Sequence, residues 1–182
     1  KDMLAYMRLV VNPADDVSLL RIINTPRRGI GKKTVEDLIE FAKTNNVSLF
    51  EAMTFKGVAT ILTDLYKSLE VEKDRMTVDE IYNTLLDRTG YIAALQNVNT
   101  VEAESRIENL LDFKTVILEK QKEADEAGED LTLDNFMEGL ALISDVDNHD
   151  PFFRGYPDGS FRANGSITRA EVAVALYRRF ID

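Results

Sequence analysis

The sequence contains no cysteine and a single histidine, His149. Without cysteine the chain has no disulfide framework, no catalytic thiol and no cysteine-ligated zinc or iron–sulfur centre. One histidine gives no basis for a histidine-rich metal site or a Ser-His-Asp triad. No apolar run approaches the roughly 18 residues that a transmembrane helix needs, and no signal peptide opens the sequence, so we expect no membrane partner.

Acidic residues outnumber basic ones, 32 to 22, which gives a formal net charge of −10 over 182 residues. The charge is unevenly distributed, because residues 21–34 hold five basic residues and no acidic one. Residues 101–150 hold four basic and fifteen acidic residues. Local potential, rather than total charge, decides where an anion binds. The sequence therefore predicts one small basic site on an otherwise acidic body.

Signals for the starts and ends of helices are frequent in residues 1–148. Asn12 and Pro13 predict a helix that begins with an asparagine N-cap and a proline at its first position. Ser48 and Thr77 each stand three residues before a glutamate, which is the pattern of a capping box. Gly90 stands where a helix would end. No run of alternating polar and apolar residues indicates a strand, so residues 1–148 are predicted to form an all-α domain.

Apolar residues recur at helical spacing behind these starts, and this spacing predicts the helix faces that form the core. The long helix predicted over residues 101–122 carries such a stripe, which we interpret as core rather than as a protein-docking surface. The acidic residues 119–131 are predicted to be a frayed helix end and a solvated loop. The predicted core positions are Leu19, Ile22, Ile23, Val35, Leu38, Ile39, Ala42, Ile81, Leu85, Leu86, Ile107, Leu110, Leu111 and Leu118.

The segment NTPRRGIGKKT, residues 24–34, combines two glycines, a proline and four basic residues between two apolar runs. Its end only superficially matches a phosphate-binding loop of the form G-x-x-x-x-G-K-[S/T]. Counted back from Gly31, the first required glycine falls on Pro26, and the Ser/Thr position is occupied by Lys33. Helix rather than strand is predicted before the segment. We therefore expect no nucleotide binding here and no bound cofactor.

Residues 27–34, which we call the GIG turn, fit a helix–Gly-x-Gly–helix hairpin better. Gly29 and Gly31 permit positive φ and carry no Cβ, so backbone N–H groups can approach a phosphate closely. The next helix is predicted to begin near Lys32 and to point its positive end at the same anion. Neighbouring phosphates would be neutralised by Arg27, Arg28, Lys32 and Lys33. Such contacts position a duplex without reading its sequence, and spacing alone leaves a plain inter-helix turn equally open.

Three separated segments of residues 1–148 resemble a known family. They are KDMLAYMRLVVNPADDVSLLRIINTPRRGIGKKTVEDL, then SRIENLLDFKTVI, then LTLDNFMEGLALISDVDN. In this order they resemble the 2B insertion subdomain of superfamily 1A DNA helicases of the UvrD, PcrA and Rep type. The resemblance implies an all-α accessory domain inserted in the second motor domain of an ATP-dependent 3'-5' DNA helicase. Such a domain would hold the duplex ahead of the unwinding fork and swivel between open and closed states that regulate unwinding.

The resemblance also implies a DNA-binding site, because the family's Gly-Ile-Gly turn, which lies against the duplex backbone, falls on residues 29–31. The implied partners are the backbone of duplex DNA, without sequence preference, and the motor domains of a parent helicase in the bacterial cytoplasm. The family's ATPase motifs lie outside this insertion and are absent from the sequence, so the chain alone is expected not to be an enzyme. The candidate DNA-binding residues are Arg27, Arg28, Gly29, Ile30, Gly31, Lys32, Lys33 and Thr34.

The composition changes after Asn148, since residues 149–182 hold two of the four prolines and three of the nine glycines. This segment is predicted to be a turn followed by one short helix, with a capping box at Thr168 and Glu171. GYPDGSFRANGSITRAEVAVALYRRF resembles the second half of an S-layer homology repeat, a surface module that binds cell-wall polymers. The resemblance implies a polymer-binding role for Arg169 and a cell-surface location if the segment functions. Only about half of one repeat is present, so DNA is the favoured partner.

Two further alternatives come from the acidic residues and the helix faces. Asp145, Asp147, Asn148 and Asp150 offer hard oxygen ligands at nearly alternate positions, which suits a weak calcium site. Their spacing lacks the glycine and the distal glutamate of an EF-hand, so no metal is expected. A protein-docking module without DNA affinity shares the predicted fold and stays open as the last alternative.

Overall fold

A computed structural model of the chain describes the backbone of residues 1–149 and the side chains of residues 1–141. Within this range it contains nine α-helices, one 3-10 helix and no strand, which confirms the predicted all-α fold. The 3-10 helix is Lys73–Arg75. The α-helices are α1 (Asp2–Val11), α2 (Asp16–Ile22), α3 (Lys32–Asn45), α4 (Leu49–Lys56), α5 (Thr60–Glu72), α6 (Val78–Thr89), α7 (Tyr91–Val98), α8 (Val101–Ala127) and α9 (Leu133–His149).

Helix α1 forms the centre of the core. It contacts α2, α5, α6 and α9, and six of its ten residues are buried. The Tyr66 hydroxyl of α5 donates to the Tyr6 carbonyl oxygen at 3.0 Å, and the Tyr91 ring of α7 meets the Tyr6 ring edge-on at 6.4 Å. Each large aliphatic side chain that α1 buries, such as Met7 or Leu9, stabilises the fold by roughly 1.5–3 kcal/mol. Helix α1 is therefore a buried, fixed neighbour of α2 and of the connection from α2 to α3.

Both capping boxes predicted for the described residues are formed. The Ser48 hydroxyl accepts from the Glu51 amide at 3.2 Å, and the Glu51 carboxylate accepts from the Ser48 amide at 2.9 Å. Thr77 and Glu80 make the same reciprocal pair at 3.2 and 2.8 Å. Gly90 ends α6 in the left-handed region, with φ of 65°. The third predicted capping box, at Thr168, lies outside the described residues.

We expect Ser48→Ala and Thr77→Ala each to lower the free energy of unfolding by about 1 kcal/mol, since each leaves an amide in the first helical turn without its acceptor. Urea denaturation followed by circular dichroism measures the change. Thr60→Ala is the matched control, because Thr60 begins α5 without acting as its cap. A control loss equal to that of the two caps would contradict the assignment.

The prediction of an N-cap at Asn12 was wrong. Asn12 instead ends α1, and its side-chain oxygen accepts from the Ala14 amide at 3.0 Å in a tight turn. The N-cap of α2 is Asp15, whose carboxylate accepts from the Ser18 amide at 3.0 Å and from the Ser18 hydroxyl at 2.6 Å. A carboxylate near the positive end of a helix gains from the helix dipole as well as from these two bonds, which explains the later start.

The apolar stripe predicted for α8 was partly wrong. Leu111 and Leu118 are 56% and 47% exposed, whereas Phe113 and Ile117 are buried. Phe113 packs between two aromatic rings, those of Tyr82 at 5.6 Å and Phe136 at 6.2 Å. Packing against these two rings determines which face of α8 is buried in the core. The helix also continues to Ala127 through most of the acidic segment predicted as a frayed end.

No helix among residues 1–149 is both long and apolar enough to span a membrane. Among residues 1–141, whose side chains are described, no group of three or more histidine or acidic side chains is arranged to hold a metal ion. The candidate calcium ligands Asp145, Asp147, Asn148 and Asp150 lie beyond the described side chains. Arg169 and the rest of the segment from residue 150 are likewise outside the described residues.

Candidate nucleic-acid interface

The GIG turn connects the C-terminus of α2 to the N-terminus of α3, and α3 begins at Lys32, as the sequence predicts. Gly31 is the N-cap of α3, with φ of −84° and ψ of 170°, and no side chain caps this helix. The first turn of α3 also contains no acidic residue. A helix start of this kind presents amide hydrogens and a positive dipole end to an anion.

The two glycines of the turn serve different purposes. Gly29 has φ of +73°, a conformation that strains any residue with a Cβ. Gly31 is in the extended region instead, so the expectation of positive φ applies to Gly29 alone. A Cβ built on Gly31 would meet no atom within 4 Å. The described fold therefore requires glycine at position 29 through its backbone, whereas position 31 has room for a side chain.

The exposed cations of the turn are Arg27, Lys32 and Lys33. Within the described chain, neither Arg27 nor Lys33 makes an ion pair. The Lys32 ammonium is 3.6 Å from a Glu36 carboxylate oxygen, with the two side chains 90% and 60% exposed. An ion pair this open contributes little and is easily exchanged for another anion. Three cations consequently face solvent around the start of α3, while Thr34 is half-buried.

Arg28 behaves differently from the other cations, because its guanidinium points back into the protein. Nη1 donates to the carbonyl oxygens of Ile22 at 2.9 Å and Ile23 at 3.4 Å, at the end of α2. Nη2 donates to the Tyr6 hydroxyl at 2.6 Å. The Tyr6 hydroxyl in turn donates to the Thr25 carbonyl oxygen. Arg28 thus joins α1, the end of α2 and the turn.

Asn24 and Ile30 fix the remaining part of the turn. The Asn24 side-chain oxygen accepts from the Arg28 amide at 2.7 Å and from the Ile30 amide at 3.3 Å. The Ile30 side chain packs against the core, so the middle of the Gly-Ile-Gly sequence is an anchor and not a free loop tip. An asparagine that accepts from amides further along the chain is a common turn device.

Burial raises the pKa of the Tyr6 phenol, and the nearby Arg28 guanidinium only partly offsets this. At neutral pH the phenol therefore stays protonated, so it can donate to Thr25 while accepting from Arg28. Sequence reasoning missed Tyr6, because it lies 22 residues before Arg28 and has the apolar neighbours of an ordinary core residue. Asn24 was detectable in principle as a turn-forming asparagine ahead of Thr25 and Pro26.

Arg21, the fifth basic residue of residues 21–34, is engaged on α1. Its Nε lies 2.8 Å from a carboxylate oxygen of Asp2, and the other Asp2 oxygen accepts from the Tyr91 hydroxyl at 2.7 Å. Arg21 therefore helps to link α1, α2 and α7. Of the basic residues at 21–34, Arg27 and Lys33 make no ion pair within the described chain, and the Lys32 pair is more exposed than the Arg21 pair.

The profile of the UvrD-like helicase C-terminal domain matches residues 1–152, which includes every described element and the whole GIG turn. The chain belongs to the UvrD-like helicase C-terminal domain family. Its similarity to ATP-dependent DNA helicase PcrA of Staphylococcus aureus is 37% identity over 160 residues, covering 82% of this chain and 22% of that protein. PcrA of Staphylococcus epidermidis is 36% identical over the same coverage. The chain thus spans about a fifth of the length of these relatives.

A second match follows the UvrD-like domain. The S-layer homology domain profile matches residues 152–173, a stretch that contains Arg169. Both resemblances seen in the sequence are thereby confirmed at the level of the family. The UvrD-like part is the one whose geometry the structure describes.

Proposed function

We propose that this UvrD-like domain is a non-catalytic, duplex-DNA-binding and regulatory subdomain of an ATP-dependent helicase. The observation that carries the proposal is the uncapped, positively charged start of α3, flanked by the exposed side chains of Arg27, Lys32 and Lys33. Such a surface suits one stretch of phosphate backbone, since it offers amide hydrogens and cations together. Phosphate contacts of this kind carry no sequence information, so we propose that binding is nonspecific in sequence.

The proposed contacts divide into backbone and side-chain groups. The absence of a Cβ at Gly29 and Gly31 lets a phosphate come close to the amides at the start of α3. Arg27, Lys32 and Lys33 neutralise adjacent phosphates, and the Thr34 hydroxyl adds a polar contact. Ile30 holds the turn on the core. A direct phosphate contact by Arg28, predicted from the sequence, would require its guanidinium to leave Tyr6 and the end of α2, with which it is engaged.

The proposed role requires partner domains for catalysis. The relatives named above are ATP-dependent DNA helicases, and the chain covers about a fifth of their length. We propose that ATP hydrolysis belongs to motor domains of a parent helicase, in the bacterial cytoplasm, and that the chain alone hydrolyses no ATP. A phosphate-release assay with and without DNA tests this point, and DNA-stimulated release by the purified chain would refute it.

Fluorescence anisotropy with a short labelled duplex, at several salt concentrations, tests DNA binding. Three or four phosphate contacts predict a log–log salt slope of about −2.7 to −3.6, because each contact contributes about −0.9. The acidic body opposes the basic turn, so we expect an affinity of roughly micromolar or weaker. No binding at low salt would refute the proposal and favour a protein-docking module of the same fold.

Gly31→Ser separates stability from DNA binding. Serine is a favourable N-cap that can accept from an amide of the first turn of α3, so we expect the free energy of unfolding to rise by a few tenths of a kcal/mol. The same hydroxyl and Cβ would occupy the place of the phosphate, so affinity for the duplex should fall by about threefold or more. Thermal melting and anisotropy measure the two changes. If Gly31→Ser leaves affinity unchanged, the amides of α3 do not bind the duplex.

A second candidate function concerns the segment that matches the S-layer homology domain at residues 152–173. We propose as the alternative that this segment binds a cell-wall polymer through Arg169, which would place the chain at the cell surface. A pull-down with purified cell-wall polymer, comparing wild type with Arg169→Ala, tests it. Binding that depends on Arg169 supports the alternative, and no retention of either protein rejects it.

A further inference from the structure

Two amides in the first half of the GIG turn are held by a side chain and not by the backbone. Within the described chain, the Arg28 and Ile30 amides both donate to the Asn24 side-chain oxygen, at 2.7 and 3.3 Å. The next backbone bond of the ladder is from Val35 to the Gly31 carbonyl oxygen, at 3.2 Å, inside α3. A turn without its own backbone ladder keeps a single shape only if neighbouring groups fix it.

Arg28 provides one such constraint. A cation that donates to the last carbonyl groups of a helix satisfies acceptors that otherwise face solvent, and it also interacts well with the negative end of the helix dipole. The Arg28 guanidinium donates in this way to Ile22 and Ile23, within one residue of the end of α2. Its backbone meanwhile belongs to the turn, so the position of the guanidinium determines the position of the turn.

Tyr6 connects Arg28 to the packed core. Its side chain is fully buried in α1, and its carbonyl oxygen accepts from the Tyr66 hydroxyl at 3.0 Å. Its hydroxyl accepts from Arg28 of the turn and donates to the carbonyl oxygen of Thr25, just before the turn, so one hydroxyl bonds to the turn and to the segment that leads into it. The Tyr6 hydroxyl has one hydrogen to donate, and this hydrogen goes to Thr25 while a lone pair accepts from Arg28.

We propose that Tyr6 and Arg28 are positioning residues for DNA binding. Tyr6 holds the Arg28 guanidinium inward and thereby fixes the part of the turn, with its Arg28 and Ile30 amides, that leads into the start of α3. The inference rests on the proposed DNA-binding function and deepens it. A preformed anion site binds more tightly than a flexible one, because less conformational freedom is lost on binding. Arg28 then contributes to affinity without neutralising a phosphate, whereas Arg27 and Lys33 neutralise phosphates directly.

The salt slope distinguishes positioning from phosphate contact. We expect Tyr6→Phe and Arg28→Ala to lower the affinity for a labelled 20-base-pair duplex by about three- to tenfold with an unchanged slope. Arg27→Ala should make the slope less steep by about 0.9. The matched control is Tyr82→Phe, because the Tyr82 hydroxyl also donates to a part-buried backbone carbonyl oxygen, that of Leu110, at 2.9 Å. The control should bind within twofold of wild type.

Hydrogen exchange measured without DNA tests independently whether Tyr6 fixes the turn. In Tyr6→Phe the Arg28 and Ile30 amides should exchange at least several-fold faster than in wild type and in Tyr82→Phe. Wild-type protein that binds no duplex overturns the DNA-binding function together with this inference. Duplex binding by wild type, with equal affinities of Tyr6→Phe and Tyr82→Phe, overturns this inference alone. Unchanged exchange at both amides, or a slope reduced by about 0.9 in Arg28→Ala, also overturns it.

Discussion

Reversing two charges of the GIG turn, in the double variant Arg27→Glu/Lys33→Glu, is expected to weaken duplex binding by about a hundredfold at low salt. The variant removes two of the three exposed cations at the start of α3 and replaces them with carboxylates that repel phosphate. Each lost phosphate contact costs about tenfold at low salt, and the salt slope of any remaining binding should be less steep by about 1.8. Fluorescence anisotropy over a salt series measures both quantities.

The control for this variant is Lys67→Glu/Arg75→Glu, which changes the net charge by the same amount with two exposed residues outside the turn. A loss of folding stability should not explain weaker binding by the turn variant. A glutamate at position 33 lies in the first turn of α3, where an acidic group stabilises the helix by about 0.3–1 kcal/mol. Equal loss of binding in both double variants would mean that overall charge, and not the turn, governs DNA affinity. The site assignment would then fail.

The features predictable from the sequence are those that depend on a few neighbouring residues. Ser48 and Thr77 form capping boxes because both members of each pair lie within one helical turn, so spacing determines the contact. The start of α3 at Lys32 is similarly local. The prediction at Asn12 was wrong because both Asn12 and Asp15 can cap a helix. Asp15 is favoured by a second bond, which its carboxylate accepts from the Ser18 hydroxyl in addition to the Ser18 amide.

Features that depend on distant partners were not predictable from spacing. Helical periodicity in α8 left more than one apolar face available, and the choice of Phe113 over Leu111 depends on the rings of Tyr82 and Phe136. The inward orientation of Arg28 has the same origin. Its partner Tyr6 lies in α1, 22 residues earlier in the sequence. A basic residue in a glycine-rich turn cannot be distinguished by sequence from its exposed neighbours Arg27 and Lys33. The candidate site could be proposed from the sequence, but the structure was needed to show that Arg28 points inward while Arg27 and Lys33 are exposed.

Four buried tyrosines connect the fold to a second large effect, a steep loss of stability in alkali. Tyr6, Tyr66, Tyr82 and Tyr91 are each at most 7% exposed. Burial raises the pKa of all four phenols, and for Tyr91 the neighbouring Asp2 carboxylate raises it further. The phenols therefore stay protonated in the folded chain at a pH where the same phenols ionise in the unfolded chain.

We expect the free energy of unfolding to be insensitive to these groups below pH ~10 and to fall as the pH rises above it. Between the ordinary tyrosine pKa of about 10 and the raised folded-state values, the unfolded chain binds fewer protons than the folded chain. Each phenol in that window lowers the free energy of unfolding by up to about 1.4 kcal/mol per pH unit. Urea denaturation at pH 8, 10 and 11 measures the loss.

Absorbance at 295 nm distinguishes this mechanism from a general alkaline effect, because it reports phenol ionisation directly. The double variant Tyr156→Phe/Tyr177→Phe removes the two phenols outside the described residues, so the signal comes from the four buried ones. Their ionisation should then rise in one cooperative step that coincides with loss of helical circular dichroism, since exposure and deprotonation are the same event. A gradual titration centred near pH 10 with intact helical signal would show that these hydroxyls are accessible in the folded chain. Ionisation of Tyr6 in the folded chain would also change the hydroxyl that accepts from Arg28 and donates to Thr25. The alkaline titration therefore tests the support of the GIG turn along with the core.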